Sequence, residues 1–398
     1  MAHTLTGGYE TRMSMTVQKY LEKTQVFRKL ASFREEAVLT KGTTVDRPYR
    51  SGFVVEDYVA NTDITATDTT ITASTLTVNM SKAVRIDIDP VQDIQLQTSP
   101  DSLRALYSPR MAYVLTDVLD RDFFDEIDNA ALVLDESDFL SASSVGDPID
   151  LDVTPANVVW LDAFATLSGN NIGPGGRYAV IDSFMASAIV QREISTGFQL
   201  ADSGLVNGFT GQKKYGFDIY MSENLPTSQA FTLVNATAAN TFTIAGVVWT
   251  AIDTLAATAG TVFTNTATLD TWGTNLAKAI NGDSVSTYYV ETTANNRDKL
   301  RTKGLSAAYN TGTDVLTITG YGRFTVKFTA GSAVAGEQTI KAMCGQYGAI
   351  DMVVQMNPTM QYNKATGNLG SALLGHTLWG TKTFEDGAQR LLRINIKG

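Results

Sequence analysis

The chain has 398 residues, of which 43% are hydrophobic and 18% charged, so we expect a globular protein of two to three domains. Its formal net charge of −10 argues against a protein whose main task is to grip nucleic acid phosphates. The single cysteine, Cys344, excludes an intrachain disulfide and a zinc site built from cysteines. The two histidines, His3 and His376, are too few for a histidine-rich metal site.

The hydropathy of the chain gives no sign of a membrane protein. The first residues lack the apolar core of a signal peptide, and nowhere do about eighteen apolar residues follow one another. We therefore expect a soluble protein, made and kept in a reducing compartment, with no membrane partner.

The N-terminal residues are predicted to form a disordered arm over positions 1–15 and then an amphipathic helix. From Thr16 onward, apolar side chains recur at helical spacing and basic side chains occupy the other faces. The recurring set is Val17, Tyr20, Leu21, Thr24, Phe27 and Leu30. Such a helix packs either on its own core or on a neighbouring molecule, and the sequence leaves both open.

Residues 49–89 are rich in threonine and are predicted to be extended. One strand is expected at residues 52–59 and a second run at 75–89, whose last residues, 84–89, alternate apolar and charged side chains. A two-stranded ribbon with so few bulky side chains has no core of its own and is marginal in isolation. It must pack against something else, which is the first indication of an assembly.

The strongest helical pattern covers residues 101–134, and Pro109 is expected to kink or split it near its start. Its solvent face is predicted to be acidic, because residues 111–162 contain thirteen acidic side chains and one basic one, Arg121. Residues 1–50 carry the opposite sign, with nine basic and five acidic side chains. Opposite charges suit docking between subunits, although taken alone they are better explained as two ordinary solvated faces.

Residues 155–190 are predicted to form a helix, a glycine-rich turn, a strand and a second helix. Pro155 starts the first helix, and Asp182 caps the second, which covers residues 183–191. The side chains of the first helix that we expect to face the core are Val158, Val159, Leu161, Phe164 and Leu167.

Residues 227–335 differ from the rest in composition, being rich in Thr and Ala and poor in charge. Strands surround one clear helix at residues 269–281, and further strands are expected at 315–319 and 324–328. Because the flanking segments need each other, we interpret this block as a small α+β domain inserted into a larger one. After it, strands are predicted at residues 349–356 and 390–397.

No group of residues stands out as catalytic, cofactor-binding or metal-binding, so we predict a protein that is not an enzyme. Residues 173–177 lack the spacing and the Lys-Ser/Thr of a phosphate-binding loop and predict a turn. Asp120, Asp122 and Asp125 do not share one helix face, and the glycine of a calcium loop is absent. Cys344 has no base near it in the sequence and is interpreted as a core side chain.

Two features leave sugar chemistry open. The aromatic side chains Tyr288, Tyr289 and Trp249 could form a platform for a sugar ring, but packing within strands explains them more simply. Acidic side chains are so numerous that composition does not exclude a glycosidase-like pair.

The order of these pieces, rather than any one motif, resembles a known family. After the arm, the ribbon, the long helix and the helix–turn–strand unit come residues 208–226, with the sequence GFTGQKKYGFDIYMSENLP. This segment, with its closing Ser-x-Asn-Leu-Pro, resembles the major capsid proteins of tailed phages with the HK97 fold, and residues 375–396 resemble the closing strands of that family. The resemblance implies an α+β chain with an HK97-like capsid fold.

The resemblance also implies a division of the chain. Its parts are an N-terminal arm (1–48), an extended loop formed by a β-hairpin (49–92), a peripheral domain with a spine helix (93–194), an axial domain (195–226, resuming at 336–398) and an inserted domain (227–335). The extended loop would reach over a neighbouring subunit, and the insertion resembles that of P22-like coat proteins, where the added domain faces outward. Some family members crosslink their subunits through a hairpin lysine and a distant asparagine. Here Lys82 is the only lysine of the hairpin, and Asn357 matches the partner in residue type alone, so no crosslink is expected.

The function implied by the resemblance is that of a structural subunit forming pentamers and hexamers of an icosahedral shell around double-stranded DNA. The expected partners are further copies of the chain, a scaffolding protein, a portal and a decoration protein, with no sequence-specific binding of DNA. The expected location is the virion, after assembly in the cytoplasm of a bacterial host.

Three alternatives remain open at the level of sequence. One is an encapsulin-type compartment shell of the same fold. A second is a phage tail or surface protein that binds host glycans through residues 227–335. A third is a glycan-cleaving enzyme that uses a pair of carboxylates.

Overall fold

The computed structural model describes residues 23–50, 52, 55, 57–61, 71–88, 100–195, 213–234, 240–252, 262–264, 268–282, 289–290, 294–364 and 371–398. The α-helices described there are α1 Phe27–Leu30, α2 Pro100–Asp125, α3 Ala156–Gly169, α4 Ser183–Ser195, α5 Leu269–Asn281, α6 Ala294–Thr302 and α7 Glu385–Gln389. Tighter helical turns occupy Arg34–Glu36, Glu126–Asn129 and Glu136–Asp138.

The strands of the described residues fall into four sheets. In chain order they are β1 Thr44–Arg50, β2 Ile71–Thr77, β3 Met80–Ile88, β4 Leu132–Leu134, β5 Arg177–Ile181, β6 Lys213–Lys214, β7 Phe217–Met221, β8 Pro226–Leu233, β9 Thr241–Ile244, β10 Val247–Ile252, β11 Val262–Thr264, β12 Tyr289–Val290, β13 Ser306–Asn310, β14 Val315–Tyr321, β15 Val326–Phe328, β16 Ala333–Gln346, β17 Asp351–Lys364, β18 Ser371–Lys382 and β19 Leu391–Lys397.

The largest sheet is organised around β16. Ile340 pairs with β8 on one side and with β19 on the other, while Met343, further along, pairs with β5 and β19. Strand β16 therefore has β19 along one edge, and β8 followed by β5 along the other. The sheet extends from β8 to β14 and β13, from β5 to β7 and β6, and from β19 to β4.

The two faces of this sheet pack against different layers, because side chains alternate along a strand. Ala342 and Cys344 lie in a core formed with α3 and α4. Met343, between them, lies in the opposite core, formed with α1, α2 and the strands β17 and β18. In this part of the molecule α3 and α4 cover one face of the sheet, and α1 and α2 cover the other.

The ribbon expected from the sequence is present, but it is built from different residues. Strands β1 and β2 pair antiparallel from Thr44 with Thr77 to Arg50 with Ile71. The predicted strand at 52–59 is wrong where the chain is described, because residues 52, 55 and 57–59 are not in a strand. Residues 84–89 do not close the ribbon either: residues 84–88 belong to β3, which pairs with β18. The reason is that Leu76 and Val78 are buried, so the chain turns into the body of the protein directly after β2.

Residues 227–335 contain a hydrophobic core of their own. Its buried members run from Phe231 to Phe324 and include Trp249 and Trp272. They pack between α5, the five-stranded sheet β12-β11-β10-β9-β15 and the strands β8, β13 and β14. The helix predicted at 269–281 is confirmed; it is capped by the Thr268 hydroxyl and is followed by Gly282 with φ of +73°. The strands predicted at 315–319 and 324–328 correspond to β14 and β15.

The N-terminal helix differs from its prediction. Residues 1–22 lie outside the described chain, Thr24 is not helical, and α1 is a single turn. It starts at Phe27 because the carboxylate of Asp120 accepts hydrogen bonds from the backbone N–H groups of Val26 and Phe27.

The long helix also differs from its prediction. It ends at Asp125, and Leu132–Leu134 form strand β4, which pairs with β19. Pro109 lies inside the helix without splitting it. No helix of the described ranges is long and apolar enough to cross a membrane.

The predicted inward face of α3 is partly wrong. Val159 and Leu167 are buried as expected, but Trp160 and Ala163 are buried in place of Val158 and Leu161. The physical reason is that the large sheet contacts only one side of this helix, whereas apolar residues also occur on the neighbouring sides. The apolar pattern alone therefore does not show which side is buried.

Candidate functional site

The ribbon β1–β2 has few buried contacts with the rest of the described chain. It forms a two-stranded sheet of its own, and most side chains of β2 are exposed. At its base, Leu76 and Val78 pack with Leu39, Val353 and Phe384. The apolar contacts of the ribbon are therefore at its base, and neither strand pairs with another strand of the described chain.

Arg47 holds the base of the ribbon through electrostatic contacts. Its guanidinium donates to the carboxylate of Asp351 at 2.9 Å, lies 3.5 Å from that of Asp386, and is 5.0 Å from the centre of the Phe384 ring. Asp351 is buried, so the ion pair compensates a charge that solvent does not reach. Gly380 allows the close approach of β2 to β18, because a side chain there would collide with the carbonyl oxygen of Thr77.

Three acidic side chains of α2, Asp117, Asp120 and Asp122, are buried or half-buried, so the prediction of an acidic solvent face is wrong for them, whereas Asp125 is exposed. Asp120 is fully buried and accepts hydrogen bonds from the backbone of Val26 at 2.9 Å and of Phe27 at 3.0 Å. Asp122 accepts one from the indole Nε1–H of Trp379 at 2.7 Å. These carboxylates tie the N-terminal segment and the sheet β17-β18-β3 to the long helix.

Asn224 is the centre of a buried polar junction. Its amide Nδ2 donates to Asp117 at 2.8 Å and to Asp120 at 2.9 Å, and its Oδ1 accepts from Lys23 Nζ at 2.7 Å. Burial, followed by the positive charge of Arg121, lowers the pKa of Lys23 to about 8. Burial raises the pKa of Asp120, although the hydrogen bonds it accepts act in the opposite direction. The junction joins the N-terminal segment, α2 and the loop that leads into residues 227–335.

A second set of contacts joins α2 directly to residues 227–335. Arg121 donates to the carbonyl of Thr302 at the end of α6, at 2.7 Å, where the helix dipole favours a cation. Its guanidinium also lies 5.1 Å from the ring centre of Tyr321, whose hydroxyl donates to Asp125 at 2.5 Å. These side-chain contacts add to the pairing of β8 with β16, which joins the block to the rest of the described chain.

The predicted cap of α4 is confirmed and has a further role. Asp182 accepts a hydrogen bond from the backbone of Met185 at 2.9 Å. Its other oxygen accepts from Arg323 at 2.9 Å, which adds a third contact to residues 227–335.

Groups capable of chemistry are not gathered in the part of the chain that the structure describes. No cluster of three or more possible metal ligands occurs among those residues. Cys344 is buried, as predicted, and burial raises the pKa of its thiol. His376 lies in β18 with its Nε2 3.2 Å from the sulfur of Met356. Trp249 is buried in β10 rather than displayed as a sugar platform, and Tyr288 lies outside the described residues.

Sequence reasoning missed the junction residues Lys23 and Asn224. Lys23 is one of the basic side chains of the arm, and Asn224 belongs to the Ser-x-Asn-Leu-Pro segment. Neither was predicted to lie in a buried polar junction. No periodicity marks either residue, since their partners are about 90 to 200 positions away. Only the fold brings them together.

Comparison with known proteins identifies the fold. No protein-family model matches the chain, and no curated protein matches it either. Among solved structures, a protein of Mycobacterium phage Che8 matches with a TM-score of 0.55 at 14% identity, covering 96% of this chain and 94% of that one. A protein from the capsid of the cyanophage P-SCSP1u matches with a TM-score of 0.52 at 12% identity, covering 97% and 92%. The chain has the mixed α/β fold of phage capsid proteins.

Proposed function

We propose that this chain is the major capsid subunit of a tailed phage, with an HK97-like fold and no enzymatic activity. The observation that carries the proposal is the structural match to phage capsid proteins over more than nine-tenths of both chains. Pentamers and hexamers of the subunit would form an icosahedral shell that encloses double-stranded DNA inside the virion, after assembly in the host cytoplasm.

Three features of the subunit support this function. The ribbon β1–β2 is anchored at its base alone, which suits a loop that lies over a neighbouring subunit in a shell. Residues 227–335 have their own core and join the body through the pairing of β8 with β16 and through polar side-chain contacts, which suits an inserted domain on the outside of a shell. The net charge of −10 suits a container in which packaged DNA stays mobile.

The partners follow from the same proposal. The chain binds further copies of itself, and a scaffolding protein, a portal and a decoration protein are the further candidates. The structural matches do not favour a glycan-binding tail protein or a glycan-cleaving enzyme.

The test is to purify the full chain, alone and with neighbouring virion proteins, and to examine it by negative-stain electron microscopy. We expect uniform shells, rings or sheets of capsomers. Dispersed monomers or small fibrous trimers under every salt and crowding condition would overturn the proposal. The nucleic acid content of purified native particles separates a phage shell, which contains DNA, from an encapsulin-type compartment, which contains protein cargo.

A further inference from the structure

Helix α3 is apolar on the side that faces away from the core. Val158 and Leu161 are 42% and 55% exposed, and Ala165, one turn further on, is exposed on the same side. The opposite side of the helix is buried, since Val159 and Trp160 pack against the large sheet. A surface helix of a globular protein normally carries polar side chains on its outer face, and one that is apolar all round is normally covered.

The surroundings of this face are acidic. After α2 and the turn that follows it, residues 135–176 contain seven acidic side chains and no lysine, arginine or histidine. Asp162 lies on α3 itself, and partial burial, followed by the negative charge of Asp138, raises its pKa. No basic side chain of the described residues forms an ion pair with Asp162 or Asp138, so their mutual repulsion is left for a partner to relieve.

Two basic side chains lie on the opposite side of the same sheet. Helix α1 packs there through Phe27 and Leu30, and its remaining side chains, Arg28 and Lys29, point to solvent. Arg28 donates to the amide oxygen of Asn357 at 3.3 Å, and Lys29 lies 5.7 Å from the ring centre of Tyr220. Neither is paired with a carboxylate among the described residues.

We propose that the outer face of α3, formed by Val158, Leu161, Asp162 and Ala165, docks onto the basic α1 face of a second copy of this chain. The two faces lie on opposite sides of one sheet, because alternate residues of β16 enter the core under α3 and the core under α1. They cannot meet within one molecule, and a contact between different faces of identical copies is heterologous, the type that closes into rings. Charge complementarity sets the register, and Leu161 supplies the apolar anchor.

This inference rests on the proposed function, since it names one contact through which capsomers form. The acidic docking surface that the sequence indicated then lies at α3 rather than at α2. Asp117, Asp120 and Asp122 of α2 bind groups of their own chain, whereas Asp162 and Asp138 beside α3 have no cation among the described residues.

The first test compares Leu161→Asp with Val248→Asp in the full chain. Val248 is a matched control, because it is 52% exposed and lies in β10 of the block 227–335. Both variants are expected to fold, as judged by thermal unfolding, since both positions face solvent in the subunit. We expect Leu161→Asp to lower the assembled fraction in sedimentation velocity by about tenfold or more, and Val248→Asp to change it less than about twofold.

The second test is a charge exchange. Asp162→Lys alone and the pair Arg28→Glu with Lys29→Glu alone are each expected to weaken assembly, and the three changes together to restore it. Equal assembly of Leu161→Asp and Val248→Asp overturns the proposed face. A triple variant that assembles no better than Asp162→Lys overturns the assignment of α1 as its partner. In either case the wild-type chain still forms shells, whereas a wild-type chain that never assembles overturns the proposed function as well.

Discussion

The ribbon β1–β2 and the block 227–335 are two departures from the layered body of the subunit, and they differ in what stabilises them. The block buries large aromatic side chains in its own core, among them Trp249, Trp272 and Phe242. The ribbon buries side chains only at its base, and Ile71 at its far end is 67% exposed. The block is packed around a core of its own, and the ribbon is held by the body that it leaves.

Under the proposed function, the difference separates the part of the chain that is stable alone from the part that needs a neighbour. A region with its own core keeps its shape whether or not neighbours are present, because burial of apolar area stabilises it internally. A ribbon without a core gains its packing from whatever covers it. Substitutions in the block should therefore alter the subunit, whereas substitutions in the ribbon should alter the assembly.

The largest effect is expected from Trp272→Ala. Trp272 is fully buried, with Phe263 at 5.4 Å and Phe328 at 6.2 Å between ring centres, so removing it should cost about 3–5 kcal/mol of unfolding free energy in this block. Limited proteolysis should then cut within residues 227–335 while the body stays intact. Val248→Ala, at an exposed position of the same block, is the control. If Trp272→Ala makes the body as sensitive to proteolysis as the block, the block has no stability of its own.

The next effect concerns the junction that holds the body together. Asp120→Ala leaves the N–H groups of Val26 and Phe27 without their acceptor, and we expect a loss of about 2–4 kcal/mol. Asp128→Ala is the control, since Asp128 also accepts three hydrogen bonds, from Lys341 and Arg393, but at an exposed position. It should cost less than about 1 kcal/mol. Chemical denaturation of the unassembled subunit measures both, and equal losses would contradict the role assigned to burial.

A smaller loss is expected at the base of the ribbon. Arg47→Met removes the cation paired with the buried Asp351 and should cost about 1–2 kcal/mol, less than for a fully buried pair because Arg47 is partly exposed. Hydrogen exchange should quicken along residues 44–50 and 71–77 while the block 227–335 keeps its protection. Unchanged exchange in the ribbon would mean that the apolar contacts of Leu76 and Val78 alone fix it.

The junction also predicts a pH dependence. The pKa of Lys23 is about 8 in the folded chain and 10.5 as its ordinary value, so the unfolded chain binds this proton more tightly. The unfolding free energy should therefore rise with pH through this interval, by about 1 kcal/mol after solvent screening. Lys23→Met should lack this rise between about pH 8 and 10.5, with the exposed Lys41→Met as control. Parallel pH profiles for wild type and Lys23→Met would show that Lys23 is not desolvated.

The smallest effect on the subunit is expected at the end of the ribbon. Ile71→Ser should change the unfolding free energy by less than about 0.5 kcal/mol, because the side chain is already in solvent. The assembled fraction should nevertheless fall if a neighbour covers this end. The matched ribbon variant Thr72→Ser, at the adjacent exposed position, controls for the presence of serine. A stability change above 1 kcal/mol in the isolated subunit would contradict the comparison of the two regions.

Local signals predicted the elements whose packing is local. The helix at 269–281 matches α5, and the cap at Asp182 is present, because both depend on neighbouring residues. The first strand of the ribbon lies at residues 44–50 rather than at the predicted 52–59. Its register depends on the burial of Leu76 at the base of the ribbon. The outward position of Leu161 was missed because hydrophobicity alone does not distinguish a core from an interface.

The sequence by itself determined the class of the protein: α+β, acidic, lacking an obvious catalytic motif, with a ribbon in need of a partner and a distinct block at 227–335. Tertiary structure decided which charged side chains are buried and which are exposed to solvent. The carboxylates of α2 look solvated in a helical pattern, yet Asn224, Trp379 and the backbone of Val26 and Phe27 reach them from distant parts of the chain. Whether a charge is buried depends on what packs over it, and that is fixed by long-range contacts that no local pattern contains.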